Sequence, residues 1–100
     1  MKLAKTFEII SQKIRVQYVD DLVMTHDALG QSRFAQNLIL IQANTKTFKV
    51  TKESQEHTYY HEMAHFVLYY MGEMELCHNE KFVDLLGNIL LQIDKTKKYS

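Results

Sequence analysis

Thr51-Lys52-Glu53-Ser54-Gln55-Glu56-His57-Thr58-Tyr59-Tyr60-His61-Glu62-Met63-Ala64-His65-Phe66-Val67-Leu68-Tyr69-Tyr70-Met71-Gly72 carries the change of period on which the fold turns. Apolar side chains at Tyr60, Met63, Ala64, Val67, Leu68 and Met71 recur three and four residues apart, which predicts a helix with one broad buried face. Thr51 suits the N-cap, and Glu53 and Glu56 lie in the early turns, where the helix dipole favours negative charge. Gly72 suits the residue just past the C-cap, where a left-handed conformation ends the helix.

Before this stretch the apolar period is two. Phe7 and Ile9, then Ile14, Val16 and Tyr18, alternate with polar residues and predict two half-buried strands with Ser11-Gln12-Lys13 as their turn. Asp20-Asp21 closes that pair, and Thr25-His26-Asp27 through Gly30 reads as a loop. A second hairpin is expected from Gly30 to Ala43, with one arm at Gln31 to Ala35, a turn at Gln36-Asn37 and the apolar strand Leu38 to Ile41. After a link from Gly72 to Cys77, a second helix is expected from about His78 to Lys95. Its apolar positions are Phe82, Leu85, Leu86, Ile89, Leu90 and Ile93, and Lys95, Lys97 and Lys98 give it a basic end. The expected fold is α+β: a small antiparallel sheet of three to four strands followed by two antiparallel helices, one domain over residues 1–100.

The chain's 100 residues are 46% apolar and 24% charged, which excludes the polar, charge-rich composition of a disordered segment. Twelve basic residues balance twelve acidic ones, so no basic footprint points to nucleic acid. A lone cysteine, Cys77, cannot form an internal disulfide, and a reducing, cytoplasmic setting is expected. No apolar run approaches the roughly 20 residues of a membrane-spanning helix. The basic start, Met1-Lys2-Leu3-Ala4-Lys5-Thr6, lacks the apolar stretch of a secretory signal, so none is expected.

His61-Glu62-Met63-Ala64-His65 spells H-E-x-x-H in the middle of the first helix. Residues four apart share a helix face with Cβ atoms about 5–6 Å apart, so both imidazoles can reach one divalent ion. Glu62 lies about 100° round the helix from His61, poorly placed as a third ligand but suited to act as general base on a water at the metal. Zinc needs a third protein ligand while one position stays open. Glu80 offers it, from the first turn of the second helix and at a height similar to that of His65. Asp84, four residues on, could accept the Nδ1–H of a ligand histidine and so aim its Nε2 at the metal. Gly87 shares that face, where a missing side chain lets helices approach closely.

The pairing of His61-Glu62-x-x-His65 with Asn79-Glu80-x-x-x-Asp84 resembles the gluzincin metallopeptidases. The order of elements is similar to that of the minigluzincins and of small phage or prophage proteins related to the ImmA/IrrE peptidases. The resemblance implies a Zn2+ peptidase with His61, His65 and Glu80 as ligands, Asp84 supporting a ligand histidine and Glu62 as the catalytic carboxylate. Its partner would be a peptide or protein substrate, such as a regulatory protein. The tyrosine or histidine with which larger gluzincins stabilise the oxyanion has no evident counterpart. The rival class is therefore a catalytically inactive zincin-like domain serving as a binding or regulatory module.

Several residues have two readings. His57 is a substrate or metal contact or a solvated histidine, His78 an alternative to Glu80, and His26 an oxyanion donor or a surface residue. Cys77 is a thiolate ligand or a buried apolar side chain. One member of each pair, Tyr59-Tyr60 and Tyr69-Tyr70, is expected in the core. Leu38 to Ile41 is either a substrate-binding edge strand or a core strand. Lys95 to Lys98 is either a solvated tail or a segment folded back into the cleft.

Overall fold

The computed structural model describes residues 2–99; Met1, which opens the basic N-terminal stretch, lies outside the described residues. Strands β1 (Thr6–Ile9) and β2 (Gln12–Val19) lead into a short helix α1 (Leu22–His26). Then come β3 (Gly30–Arg33), a 3-10 turn (Phe34–Gln36) and β4 (Leu38–Gln42). Helices α2 (Lys52–Tyr70), α3 (Met74–Cys77) and α4 (Glu80–Thr96) follow. The architecture is α+β, as the change of period implies. No helix among the described residues is long and apolar enough to cross a membrane.

The sheet has four strands in the order β1-β2-β4-β3 and is mixed, not antiparallel as expected. β1 pairs with β2, and β3 with β4, as antiparallel hairpins, but β2 and β4 run parallel with Val16 beside Ile39. The continuous apolar run explains the insertion. Leu38 to Ile41 is buried at every position, so β4 belongs inside the sheet with both faces covered. Ile39 and Ile41 pack with Ile14, Val16, Tyr59, Tyr60 and Phe66 beneath α2, while Leu38 and Leu40 pack with Leu22 of α1 on the opposite face. α1 thus covers the second face with Leu22; too short to show periodicity, it runs from before the expected loop into its first two residues, Thr25 and His26.

The first hairpin turns at Ile10-Ser11, whose φ values of 47° and 63° are both positive, so the turn starts one residue earlier than the polar cluster suggests and Gln12 and Lys13 belong to β2. Such two-residue turns match the twist of the flanking strands. α2 begins as expected, with the Thr51 hydroxyl accepting from the Ser54 N–H at 3.0 Å, and Gly72 past its end has φ 76°. Its buried surface is wider than one stripe. α2 lies between the sheet and α4, so Tyr59 and Phe66 are buried as well as Tyr60, Ala64 and Leu68, while Met71 is exposed. Both Tyr59 and Tyr60 are in the core, and Tyr69 and Tyr70 are each partly buried.

α4 departs further. Val83 and Gly87 are its buried residues, and Phe82, Leu85, Ile89 and Ile93, four of the six apolar positions expected to pack, are exposed. The reason lies at Gly87, where a Cβ would come within 3.0 Å of the His61 Cα and the Tyr60 carbonyl oxygen. The two helices meet backbone to backbone at this point, and so close a crossing buries only a narrow strip of α4.

Candidate metal centre

α2 forms the floor of a cleft of about 550 Å³, with β3 on one side and the α3–α4 end on the other. Successive residues of α2 project to different walls. His61 and His65 face α4, and Glu62 faces β3. One carboxylate spans the two imidazoles, with Glu80 Oε2 3.0 Å from His61 Nε2 and Glu80 Oε1 3.4 Å from His65 Nε2. One ligand atom from each of the three residues lies within 4.8 Å of the other two, and they form the only such grouping able to hold a metal ion among the described residues. Two imidazole nitrogens and a carboxylate oxygen are a donor set suited to zinc, nickel, cobalt or iron. The Glu80 side chain is 70% exposed, which leaves solvent access on that side of the group.

The far nitrogens of both rings are held. His61 Nδ1 is 3.3 Å from Asp84 Oδ1, and His65 Nδ1 donates to the Cys77 carbonyl at 2.8 Å. Both contacts favour the Nδ1–H tautomer and leave the Nε2 lone pairs for a cation shared with the Glu80 carboxylate, the arrangement that orients metal-binding histidines. The donor set and the ring orientations therefore fit a divalent ion. Asn79 caps α4 by accepting from the Phe82 N–H at 3.1 Å, and this fixes the first turn that carries Glu80.

Glu62 is buried, and the Ser32 hydroxyl donates to its Oε1 at 2.7 Å. Burial pushes its carboxyl above the ordinary carboxylate range, while the Ser32 hydroxyl, then His65 and His61, pull it back down. Gly30 makes room for it. A Cβ there would lie 2.4 Å from Thr58 Cγ2 and 3.0 Å from Glu62 Oε2. Sequence reasoning missed Ser32 and Gly30. The only available signal is that they are two apart on one strand and share a face.

The remaining candidates separate clearly. His57 lies in the cleft with its Nε2 3.0 Å from Asp84 Oδ1, the same oxygen that meets His61, and it stands outside the group of three. His78 lines the cleft and is also outside that group. His26 is on α1, exposed, with Nδ1 on the Thr25 hydroxyl at 2.7 Å, and does not line the cleft. Cys77 is fully buried and outside the group of three, its thiol donating to the His65 carbonyl at 3.3 Å, so it packs as a small side chain beneath the site and not as a ligand. Leu38 to Ile41 is interior and cannot be a substrate edge; the free edge beside the cleft belongs to β3. Lys95 and Lys97 pair with Glu56 and Asp94, and no described residue of the tail lines the cleft.

Gln42 N–H donates to the Leu29 carbonyl at 2.8 Å, which sets the phase of the β3–β4 ladder. By the alternation of an antiparallel pair, the main-chain groups of Gly30 and Ser32 turn away from β4, toward the open edge. No protein-family model, no curated protein and no solved structure matches this chain.

Proposed function

We propose that this protein is a zinc-dependent peptidase of minimal gluzincin-like design, with His61, His65 and Glu80 as metal ligands and Glu62 as general base. The observation that carries the reading is the convergence of two imidazole nitrogens and one carboxylate within 4.8 Å, on a cleft that also holds a hydroxyl-anchored Glu62. Zinc bound there would polarise a peptide carbonyl and lower the pKa of water toward about 7. Asp84 and the Cys77 carbonyl keep the two rings in the binding tautomer. Glu62 takes the proton from the attacking water and returns it to the leaving amine nitrogen. The outward main-chain groups of Gly30 and Ser32 offer an extended substrate backbone a strand to pair with. The substrate is then a peptide or an unfolded segment of a protein, in keeping with a regulatory target, and the lone cysteine fits a reducing, cytoplasmic setting.

Glu62→Gln tests the assignment. The variant is expected to bind one zinc as tightly as wild type while losing at least about a hundredfold in cleavage of a mixed peptide library, the usual scale of a general base. Cleavage at the wild-type rate would overturn the mechanism. A wild-type chain that binds zinc yet cleaves nothing would favour the second reading, a catalytically inactive binding or regulatory module. The open, solvent-facing position of Glu80 is the feature on that side.

A further inference from the structure

The outer side of α4 takes no part in the metal centre. Phe82, Leu85, Ile89 and Ile93 lie there 39%, 60%, 48% and 54% exposed. Spaced three, four and four residues apart, they form one continuous ridge over about three turns. Solvent-facing helix residues in a monomer are ordinarily polar, and a ridge of four large apolar side chains marks an association surface.

The ridge is its own complement. A second α4 laid antiparallel on the first sets Phe82 against Ile93 of the second copy and Leu85 against its Ile89, with a two-fold axis between them. Charge selects the same direction. Exposed Glu73 and Glu75 lie just ahead of α4 and, against Lys81, leave that end acidic, while Lys95 and Lys97, which also meet Glu56 and Asp94, join exposed Lys98 to leave the other end basic. Antiparallel packing places each basic end beside the other copy's acidic end, whereas parallel packing would stack like on like. The formal net charge is zero, so no overall repulsion opposes self-association.

We propose that two copies of this chain associate through an isologous, antiparallel α4–α4 contact centred on Leu85 and Ile89. This inference is independent of the metal reading, because none of the ridge residues belongs to the group of three.

Sedimentation equilibrium of the full chain from about 1 to 500 μM tests it. The wild type is expected to approach twice its 11.8 kDa mass at the upper end of the range. Ile89→Glu, which buries a charge at the centre of the contact, is expected to weaken association at least about a hundredfold. The milder Leu85→Gln is expected to weaken it about tenfold. Both variants should keep the wild-type circular dichroism spectrum, since these side chains are exposed in the monomer. A wild type that stays monomeric throughout overturns the proposal, including a monomer that instead binds lipid vesicles through this face. A dimer unaffected by Leu85→Gln and Ile89→Glu overturns it as well.

Discussion

Gly30 and Glu62 show how narrow the tolerances of the cleft are. The Glu62 carboxylate sits between the Ser32 hydroxyl and the space that a side chain at position 30 would fill. Gly30→Ala drives a methyl to 2.4 Å from Cγ2 of the buried Thr58, so that Thr58 must change rotamer within the packed interface or the strand and helix must move apart. The expected cost is about 1–3 kcal/mol in urea unfolding. Adding Thr58→Ser removes the struck methyl and should recover part of that loss. No recovery would mean that the crowding lies elsewhere. The proximity of His61, His65 and Glu80 was legible in the sequence because i, i+4 spacing on one helix and one short link suffice to bring them together. Ser32 and Gly30 were not legible. What places them against Glu62 is the register of β3 and its approach to a helix thirty residues on, and neither is encoded locally.

At the scale of elements, the helix ends were legible because Thr51, Gly72 and Asn79 act on their own neighbours. The parallel β2–β4 pairing was not, since the alternation within a strand says which side chains share a face and nothing about which strand lies alongside. The outward ridge of α4 was misread for a related reason. Periodicity identifies an apolar face but not what covers it, and the close crossing at Gly87 turns that face partly to solvent. Gly87→Ala measures the crossing. Replacing glycine by alanine in a helix ordinarily gains up to about 1 kcal/mol. Here the new Cβ meets α2 backbone at 3.0 Å, which no rotamer can relieve. The overpacking cost of about 1–3 kcal/mol should outweigh the gain, so the variant is expected to be less stable. It should also bind zinc more weakly, because α4 carries Glu80 outward as it shifts. A more stable variant with unchanged affinity would show that the helices part freely.

Over the whole molecule, the two ends of the chain are tied by Tyr59, whose hydroxyl donates to the Ala4 carbonyl at 2.9 Å, and by Tyr60, which donates to Asp94 Oδ2 at 2.7 Å. The Tyr60 hydroxyl holds the Asp94 carboxyl below its ordinary range, with Lys97 assisting. Burial raises Tyr59 to about 12, and burial together with the Asp94 bond raises Tyr60. A carboxyl depressed in the folded state adds stability above its unfolded pKa of about 3.9, and that stability is lost as pH falls through the folded value. A phenol raised in the folded state adds stability below about 10 that is lost as pH climbs through the raised value. Urea unfolding as a function of pH is therefore expected to fall off on both sides of neutrality. Tyr60→Phe, which removes the hydroxyl shared by both effects, should make both limbs shallower. Limbs of unchanged slope would contradict this assignment.

The metal centre joins α2 to α4, and one measurement tests it most directly. Crystals grown with zinc would be examined by anomalous scattering at the zinc absorption edge. A single strong peak is expected about 2.0–2.2 Å from His61 Nε2, His65 Nε2 and a carboxylate oxygen of Glu80. No peak at that point, or a peak held by His57 or His78 in place of these three side chains, would contradict the account.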